Sequence, residues 1–335
     1  MSPEINKINF SRRHHFLPVF YLKGFSNTDG LIFVYDKIKD TILPNQKPES
    51  KFYEKDLNNY KIDGDIKFTL EEPLFTAMDT RVSPIFNKIR RSQINNVEEL
   101  NELERLEILH FLVHLFWRSP ETNDLFVELM KKEGLSNNFF GFVKKGGGEF
   151  VSDEEIETIR NQLLNDEEIQ KIFKHTIPVS AGVKETVHLF DKWKLFTLNT
   201  EALSIITGDN PFLINNDDIK LDNVFNELIF PISNKKLLIL SSRPPSFLDS
   251  YLVSHANLAI LHQSKRFISS ESEEQLNQLI VDYKEFIKLN LDKALVKNTF
   301  GLMYHQSKFK DFNEYLNDYR FNKEVYQNRD NIFRE

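Results

Sequence analysis

Asn96-Val97-Glu98-Glu99-Leu100-Asn101-Glu102-Leu103-Glu104-Arg105-Leu106-Glu107-Ile108-Leu109-His110-Phe111-Leu112-Val113-His114-Leu115-Phe116-Trp117-Arg118-Ser119-Pro120 carries the strongest helix signal in the chain. Asn96 can cap the first turn, and Glu99 at the third position can reach back in a capping box. The apolar run predicts a helix over about 97–118. Ser119-Pro120 ends it and reads as the cap and first residue of the next helix.

On the N-terminal side, Leu31-Ile-Phe-Val-Tyr35 reads as a strand after the turn Asn27-Thr-Asp-Gly30. The apolar stripe Phe68, Leu70, Leu74, Phe75, Met78, Val82, Ile85, Phe86 and Ile89 predicts a helix over 66–91, with Pro73 near its first turn. On the C-terminal side, residues 134–153 with the glycines 146–148 read as a loop. A helix is expected from Ser152 to about His175, its acidic start favoured by the helix dipole. From Val187 the texture turns to β, with strand-like pieces at His188–Leu198, Ala202–Thr207, Phe230–Ile232, Leu237–Leu240 and Arg266–Ser269. A helix is expected over 249–264. Another opens after a Ser270/Glu273 capping box, and Phe309, Phe312, Leu316 and Tyr319 give the tail helical spacing.

The sum is an α+β fold, a mostly helical single large domain with a small mixed or antiparallel sheet from its N- and C-terminal segments. Its parts are 1–95, 96–186 and 187–335.

Composition narrows the function. The chain has 335 residues and no cysteine, which removes disulfides, thiolate metal sites and a cysteine nucleophile. A net charge of −7 argues against a globally basic nucleic-acid binder, though a local basic patch within an acidic body remains compatible. The start Met1-Ser-Pro-Glu-Ile-Asn-Lys7 has no apolar signal-peptide core, and the apolar runs are too short to span a bilayer. A cytoplasmic protein with no membrane partner is expected. The abundance of Lys, Asn, Ile and Phe is like that of AT-rich bacteria.

Four constellations carry potential chemistry. His14-His15 follow Arg12-Arg13 and precede Phe16-Leu-Pro-Val-Phe-Tyr21-Leu-Lys23-Gly-Phe25. One imidazole can act as base or metal ligand while Arg13 and Lys23 hold an anion; the alternative is one ring in the core and one on the surface. Thr207-Gly208-Asp209-Asn210-Pro211 places a carboxylate and an amide after an apolar run, though Asp-Asn-Pro is also a good turn. His110 and His114 share a helix face at metal-ligand spacing, but lack the glutamate that zincin motifs require. Arg118, one turn on, is placed to meet a carboxylate or phosphate, or an interior ion pair. Glu71, Glu72 and Asp79 form an acidic group in which Asp79 stands above Glu72, able to hold a divalent cation or to be solvated face charges.

In this order, these pieces resemble an uncharacterised bacterial family, domain of unknown function 4238. Its opening His-His-x-x-Pro-x-Phe-Tyr-Leu-(Arg/Lys)-x-Phe is matched by His14 to Phe25. A glutamate-bearing helix is matched by Glu71 and Asp79, with Asp in place of a usual Glu. Arg-x-Pro is matched by Arg118-Ser119-Pro120. A (Ser/Thr)-Asp-Asn-Pro is matched at 208–211, with Gly208 in place of the hydroxyl residue. Phe230–Ser233 match a Phe-Pro-(Ile/Leu)-Ser strand, and Asn257 and Arg266-Phe267 match a later Asn and basic position. The resemblance covers about residues 13–270 and leaves out His110 and His114. It brings no activity, but marks His14, His15, Arg118, Asp209 and Asn210 for chemistry.

The function expected from these residues is a hydrolase acting on a phosphodiester or other anionic substrate, a nuclease being one form. His14 or His15 would supply the base or a metal ligand, and Asp209 with Glu72 or Asp79 would supply carboxylate charge for a magnesium or manganese ion or orient an imidazole. Arg118 and Lys23 would stabilise developing charge, and Asn210 would position the substrate. Arg13, Tyr21, Lys23, Asn257 and Arg266 would contact it. The alternative is a non-catalytic module binding nucleic acid, a nucleotide or a protein through Arg12, Arg13, Lys23, Arg90, Arg91, Lys144 and Lys145, with aromatic rings able to stack bases.

Overall fold

The computed structural model describes residues 12–62, 65–91, 94, 96–133, 148–176, 192–215, 219–220 and 224–321. The N-terminal part holds strand β1 (Arg13–His15), the short helix α1 (Val19–Leu22), and strands β2 (Ile32–Asp36), β3 (Thr41–Gln46), β4 (Tyr53–Lys55), β5 (Asn59–Ile62) and β6 (Asp65–Thr69). The middle is helical: α2 (Ala77–Arg91), α3 (Glu102–Arg118), α4 (Asn123–Glu133), α5 (Asp153–Asn165) and α6 (Glu167–Lys174). The C-terminal part returns to strands β7 (Trp193–Thr197), β8 (Thr207–Gly208), β9 (Leu213–Ile214), β10 (Leu228–Ser233) and β11 (Lys236–Leu240). Then come α7 (Ser250–Gln263), β12 (Phe267–Ser270), α8 (Glu273–Lys288), α9 (Leu295–Gln306) and α10 (Phe312–Phe321).

The fold is α+β with small antiparallel sheets, as the sequence implies. One four-stranded sheet runs β3-β2-β12-β8, so a C-terminal strand lies between N-terminal β2 and β8. The other runs β7-β11-β10-β9, and β1-β4 and β5-β6 form two-stranded ribbons. Every residue of β10 and β11 is buried, which explains their continuous apolar reading, since a strand covered on both faces need not alternate. One hydrophobic cluster extends in sequence from Phe16 to Met303 and draws on all three parts of the chain. Tyr21 ties the N-terminal part to the C-terminal part. It is fully buried, donates to the Pro231 carbonyl at 3.0 Å, shares a hydrogen bond with Thr207 at 2.9 Å and stacks on Phe230.

Four helix boundaries differ from expectation, each for a local reason. The helix expected over 97–118 breaks, because the Asn-x-x-Glu pattern occurs twice. Asn96 and Glu99 close a single 3-10 turn, and Asn101 and Glu104 form the box that opens α3. In the stretch expected to be helical from 66, residues 65–69 pair with β5, and Phe68 stacks on Tyr60 at 4.6 Å. The helix expected over 152–175 has the Ser152/Glu155 capping box at its start but breaks at Asp166, whose side chain accepts the Glu168 and Ile169 N–H groups and caps α6. The cap of α8 is Ser272, while Ser270 ends β12 and bonds Gln275. Residues 134–147 of the expected loop, 188–191 of the expected strand, and the tail beyond 321 lie outside the described residues. No described helix is long and apolar enough to cross a membrane.

The two capping boxes give a direct test. Asn101→Ala is expected to cost about 1 kcal/mol. Asn96→Ala, which serves only one 3-10 turn, is expected to cost less when both are compared by urea denaturation.

Candidate functional site

Arg118 closes the last turn of α3, and Ser119, in extended conformation before Pro120, turns the chain away. Its side chain is 1% exposed and places one guanidinium nitrogen 3.3 Å from Glu71 and another 3.3 Å from Asp79. The Phe75 ring lies under it at 4.4 Å. The partner of Asp79 is therefore Glu71, and the spacing has a backbone cause. Residues Glu71–Thr76 form a π-helical turn in which the Phe75 N–H reaches the Leu70 carbonyl. The wide turn absorbs about one residue of phase, so the side chain eight residues before Asp79 shares its face. The Glu72 side chain lies outside the described residues. Among the described residues no three His, Asp or Glu side chains are grouped to hold a metal ion. The cation between Glu71 and Asp79 is the guanidinium itself.

This centre is electrostatically uneven. Burial raises the Asp79 carboxyl, opposed by Arg118. Asp79 Oδ1 and Arg118 Nε are buried without a hydrogen-bond partner among the described residues, as are Nδ1 of His114 and of His175. Both rings meet the Phe75 edge, at 6.4 and 5.1 Å. Burial, with help from His110 and Arg118, pulls His114 down to about 4, and burial pulls His175 well below its usual value.

The N-terminal motif leads into the same centre. β1 pairs with β4, setting His14 opposite Glu54 and His15 opposite Tyr53. His14 is fully buried, and its Nδ1 accepts the Asn58 backbone N–H at 2.7 Å. The Asn58 side-chain amide donates to Glu71 at 2.7 Å. His15 Nε2 donates to the Glu49 carbonyl at 3.2 Å, and burial lowers its ring pKa against that bond. Lys23 is exposed, with its ammonium 4.0 Å from Glu49. Arg13 donates to the Tyr53 hydroxyl at 2.7 Å and covers its ring at 4.4 Å.

Asp209 does structural work. Its carboxylate accepts three successive backbone N–H groups, from Lys265 at 3.0 Å, Arg266 at 2.7 Å and Phe267 at 2.9 Å. Burial raises its carboxyl, opposed by these donors and by Ser264. The Asn210 carbonyl takes a 2.7 Å bond from Gln263. Asn257 is buried and spends both ends of its amide on the backbone of Ile206 and Ser204, at 3.1 and 2.9 Å. Tyr21 is likewise committed within the core. Two residues expected to touch substrate thus hold strands together. The same is true of Arg90, offered above as a binding residue, which donates to the Phe20, Tyr21 and Ile232 carbonyls. Arg12 pairs with Asp56 at 2.6 Å, and Lys144 and Lys145 lie outside the described residues.

Of His14, Arg118 and Asp209, only Asp209 lines a shared pocket; the other two lie next to residues that line it. A cavity of about 230 Å³ is lined by Phe16, Ile38, Tyr53, Glu54, Ser119, Pro120, Glu121, Asp209, Lys265, Arg266 and Phe267. Arg118 precedes one wall, His14 pairs across β1-β4 with another, and Asp209 forms a third. Arg266 reaches Asp36 at 3.3 Å and lies over Phe267 at 4.5 Å, while Lys265 pairs with Glu121. Sequence reasoning missed Glu54, Glu121 and Lys174. Lys174 is 5% exposed, donates to the Ser119 carbonyl at 2.7 Å and bonds Asn123 Oδ1. Burial brings its amine down to about 7, against the fields of Glu121 and Glu54. Nothing in the local sequence marks these residues, because the cavity is assembled from distant segments.

With the geometry described, the family relation can be stated. The model of the family "Protein of unknown function (DUF4238)" matches residues 13–274. The chain belongs to this family. No curated protein and no solved structure matches it. Of the DUF4238 motif positions described above, Phe16, Ser119-Pro120, Asp209 and Arg266-Phe267 line the cavity.

Three outcomes follow for this site. Arg118→Met leaves two carboxylates facing each other and is expected to destabilise the fold by about 3–5 kcal/mol in denaturant titrations. His114 is held neutral in the fold with a value near 4, below its unfolded 6.5. The unfolded chain therefore binds more protons between these values, and the stability this ring contributes is present above pH 6.5 and lost as pH falls toward 4. His114→Gln is expected to flatten that part of the Tm-versus-pH curve. A Cβ at Gly208 would collide with Ser264 Oγ, which bonds the Ile260 carbonyl at 2.7 Å. Gly208→Ala is expected to lower Tm, and Ser264→Gly in the same chain to restore part of it.

Proposed function

We propose that the cavity is the active site of a hydrolase for a phosphodiester or a similarly anionic substrate, working in the cytoplasm of a bacterium. The observation that supports this most is the meeting of Phe16, Ser119-Pro120, Asp209 and Arg266-Phe267, four separated motif positions, around one concave space beside two cations. Lys265 and Arg266 hold the anionic group. An incoming phosphate competes with Glu121 for Lys265 and so releases that carboxylate. His14, Arg118 and Asp209 act in this reading by fixing the walls, since buried polar groups held by hydrogen bonds and ion pairs make rigid supports.

A second reading, a non-catalytic nucleotide or nucleic-acid binding module, draws on one feature: the Arg13 guanidinium lies over the ring of Tyr53, a residue that lines the cavity and offers an aromatic stacking surface.

The test is turnover of bis(4-nitrophenyl) phosphate by the full chain, with magnesium, with manganese and with EDTA. The hydrolase reading expects nitrophenolate release that falls at least about tenfold in a Lys265→Ser/Arg266→Ser variant of unchanged Tm. Saturable, salt-dependent nucleotide binding without turnover would favour the second reading. Neither turnover nor binding would overturn both.

A further inference from the structure

Glu54 enters the cavity from a strand held between two residues with left-handed backbone, Phe52 at φ 56° and Asp56 at φ 61°. A bulky aromatic residue rarely adopts that conformation, and the surroundings must impose it. They do: the Phe52 carbonyl receives the Phe16 N–H at 3.1 Å, and its buried ring packs edge-on against Phe16 and Phe267. Tyr53 and Glu54 of β4 thereby line the same cavity as Glu121.

Behind that wall is Lys174. Its two hydrogen bonds, to Ser119 O and Asn123 Oδ1, satisfy both N–H groups of a neutral amine and leave its lone pair, or leave one N–H of the ammonium unspent. Burial together with Glu121 raises the Glu54 carboxyl, and Lys174 opposes the rise. Two carboxyl groups in one cavity, differently placed toward a buried cation, have the arrangement from which acid and base roles arise.

We propose that Glu54 and Glu121 are the acid and base of the cavity, that Lys174 is a positioning residue held behind them by Ser119 and Asn123, and that the natural substrate is a phosphodiester with an alkoxide leaving group. This rests on the hydrolase reading above. A water oxygen bonds to phosphorus and its proton passes to the Glu121 carboxylate. The bond from phosphorus to the leaving oxygen breaks, its electron pair staying on that oxygen, which takes the proton of Glu54. A phosphomonoester and an alcohol leave, and the proton on Glu121 returns to Glu54 through solvent.

The leaving group supplies the test. Nitrophenolate departs without a proton, whereas an alkoxide needs one. Glu54→Gln is expected to lower hydrolysis of a thymidine dinucleotide about 100-fold or more while changing that of bis(4-nitrophenyl) phosphate only a few-fold. Lys174→Met is expected to move the Glu54-dependent limb of the pH–rate profile to higher pH, and Lys174→Arg to leave it in place. Equal effects of Glu54→Gln on the two esters, or an unmoved profile in Lys174→Met, would overturn the assignment. If the wild-type chain hydrolyses neither ester, the hydrolase reading fails by itself. The charge centre is then read by carboxyl-carbon NMR, in which the Glu54 midpoint rises in Lys174→Met; an unmoved midpoint overturns it too. Should Lys174→Met not fold, Lys174→Gln serves in its place.

Discussion

The carboxylate of Asp209, filled by three consecutive backbone N–H groups, is the constraint on which the rest of the site depends. Those donors lie at the bend between α7 and β12, and Asp209 itself is 5% exposed. Without the carboxylate these partly buried donors would lose their partner, at a cost of about 1 kcal/mol each. With it, β8 is fixed to β12 and residues 265–267 are presented to the cavity. The Phe267 ring then packs on Phe52, Phe52 holds the entry to β4, and β4 pairs with β1. From β1 the path continues through His14 to Asn58, on to Glu71, and so to Arg118. Arg118 precedes Ser119-Pro120, which faces Asp209 across the same space. The contacts form a closed circuit around the cavity.

That circuit separates two kinds of polar residue. Some are buried and committed to the frame: Asp209, Asn257, Tyr21 and His14 give their hydrogen bonds chiefly to the backbone. Others line open volume, namely Glu54, Glu121, Lys265 and Arg266. A buried charge must be paired or hydrogen-bonded, so the first kind is demanding of sequence and yields recognisable motifs. The second kind has freedom in neighbouring sequence, because a carboxylate or ammonium in a cavity needs only to be aimed. The motifs therefore trace the frame, and the chemistry rests on residues the frame positions.

This also explains what the sequence disclosed. Capping residues, the strands of β2, β10 and β11, and α7 were legible because their signals are local: periodicity, a cap, a continuous apolar run. A sheet shared by N- and C-terminal segments was expected, but the pairing of β2 with β12 is a tertiary fact that neither strand's sequence marks. Local rules failed where two signals overlapped. Asn101 repeats the pattern of Asn96 five residues later, Asp166 caps within a continuous helical stretch, and the π turn at Glu71–Thr76 shifts the face on which Asp79 falls. At the site, His14, Arg118 and Asp209 were recognisable as unusual, but whether each faces solvent or backbone depends on partners 39 to 58 residues away, such as Asp79 for Arg118 and Phe267 for Asp209. Lys174 stands in the last turn of α6, where a lysine is ordinary, and its burial is wholly tertiary.

The central claim is that the space enclosed by this circuit receives an anionic group between Lys265, Arg266 and Glu54. Its most direct test is a crystal structure of the chain soaked with thymidine 3′,5′-bisphosphate. The account predicts a phosphate in the cavity within hydrogen-bond distance of Lys265 or Arg266, with Lys265 drawn away from Glu121. A cavity that stays empty while the ligand binds elsewhere on the surface would contradict it.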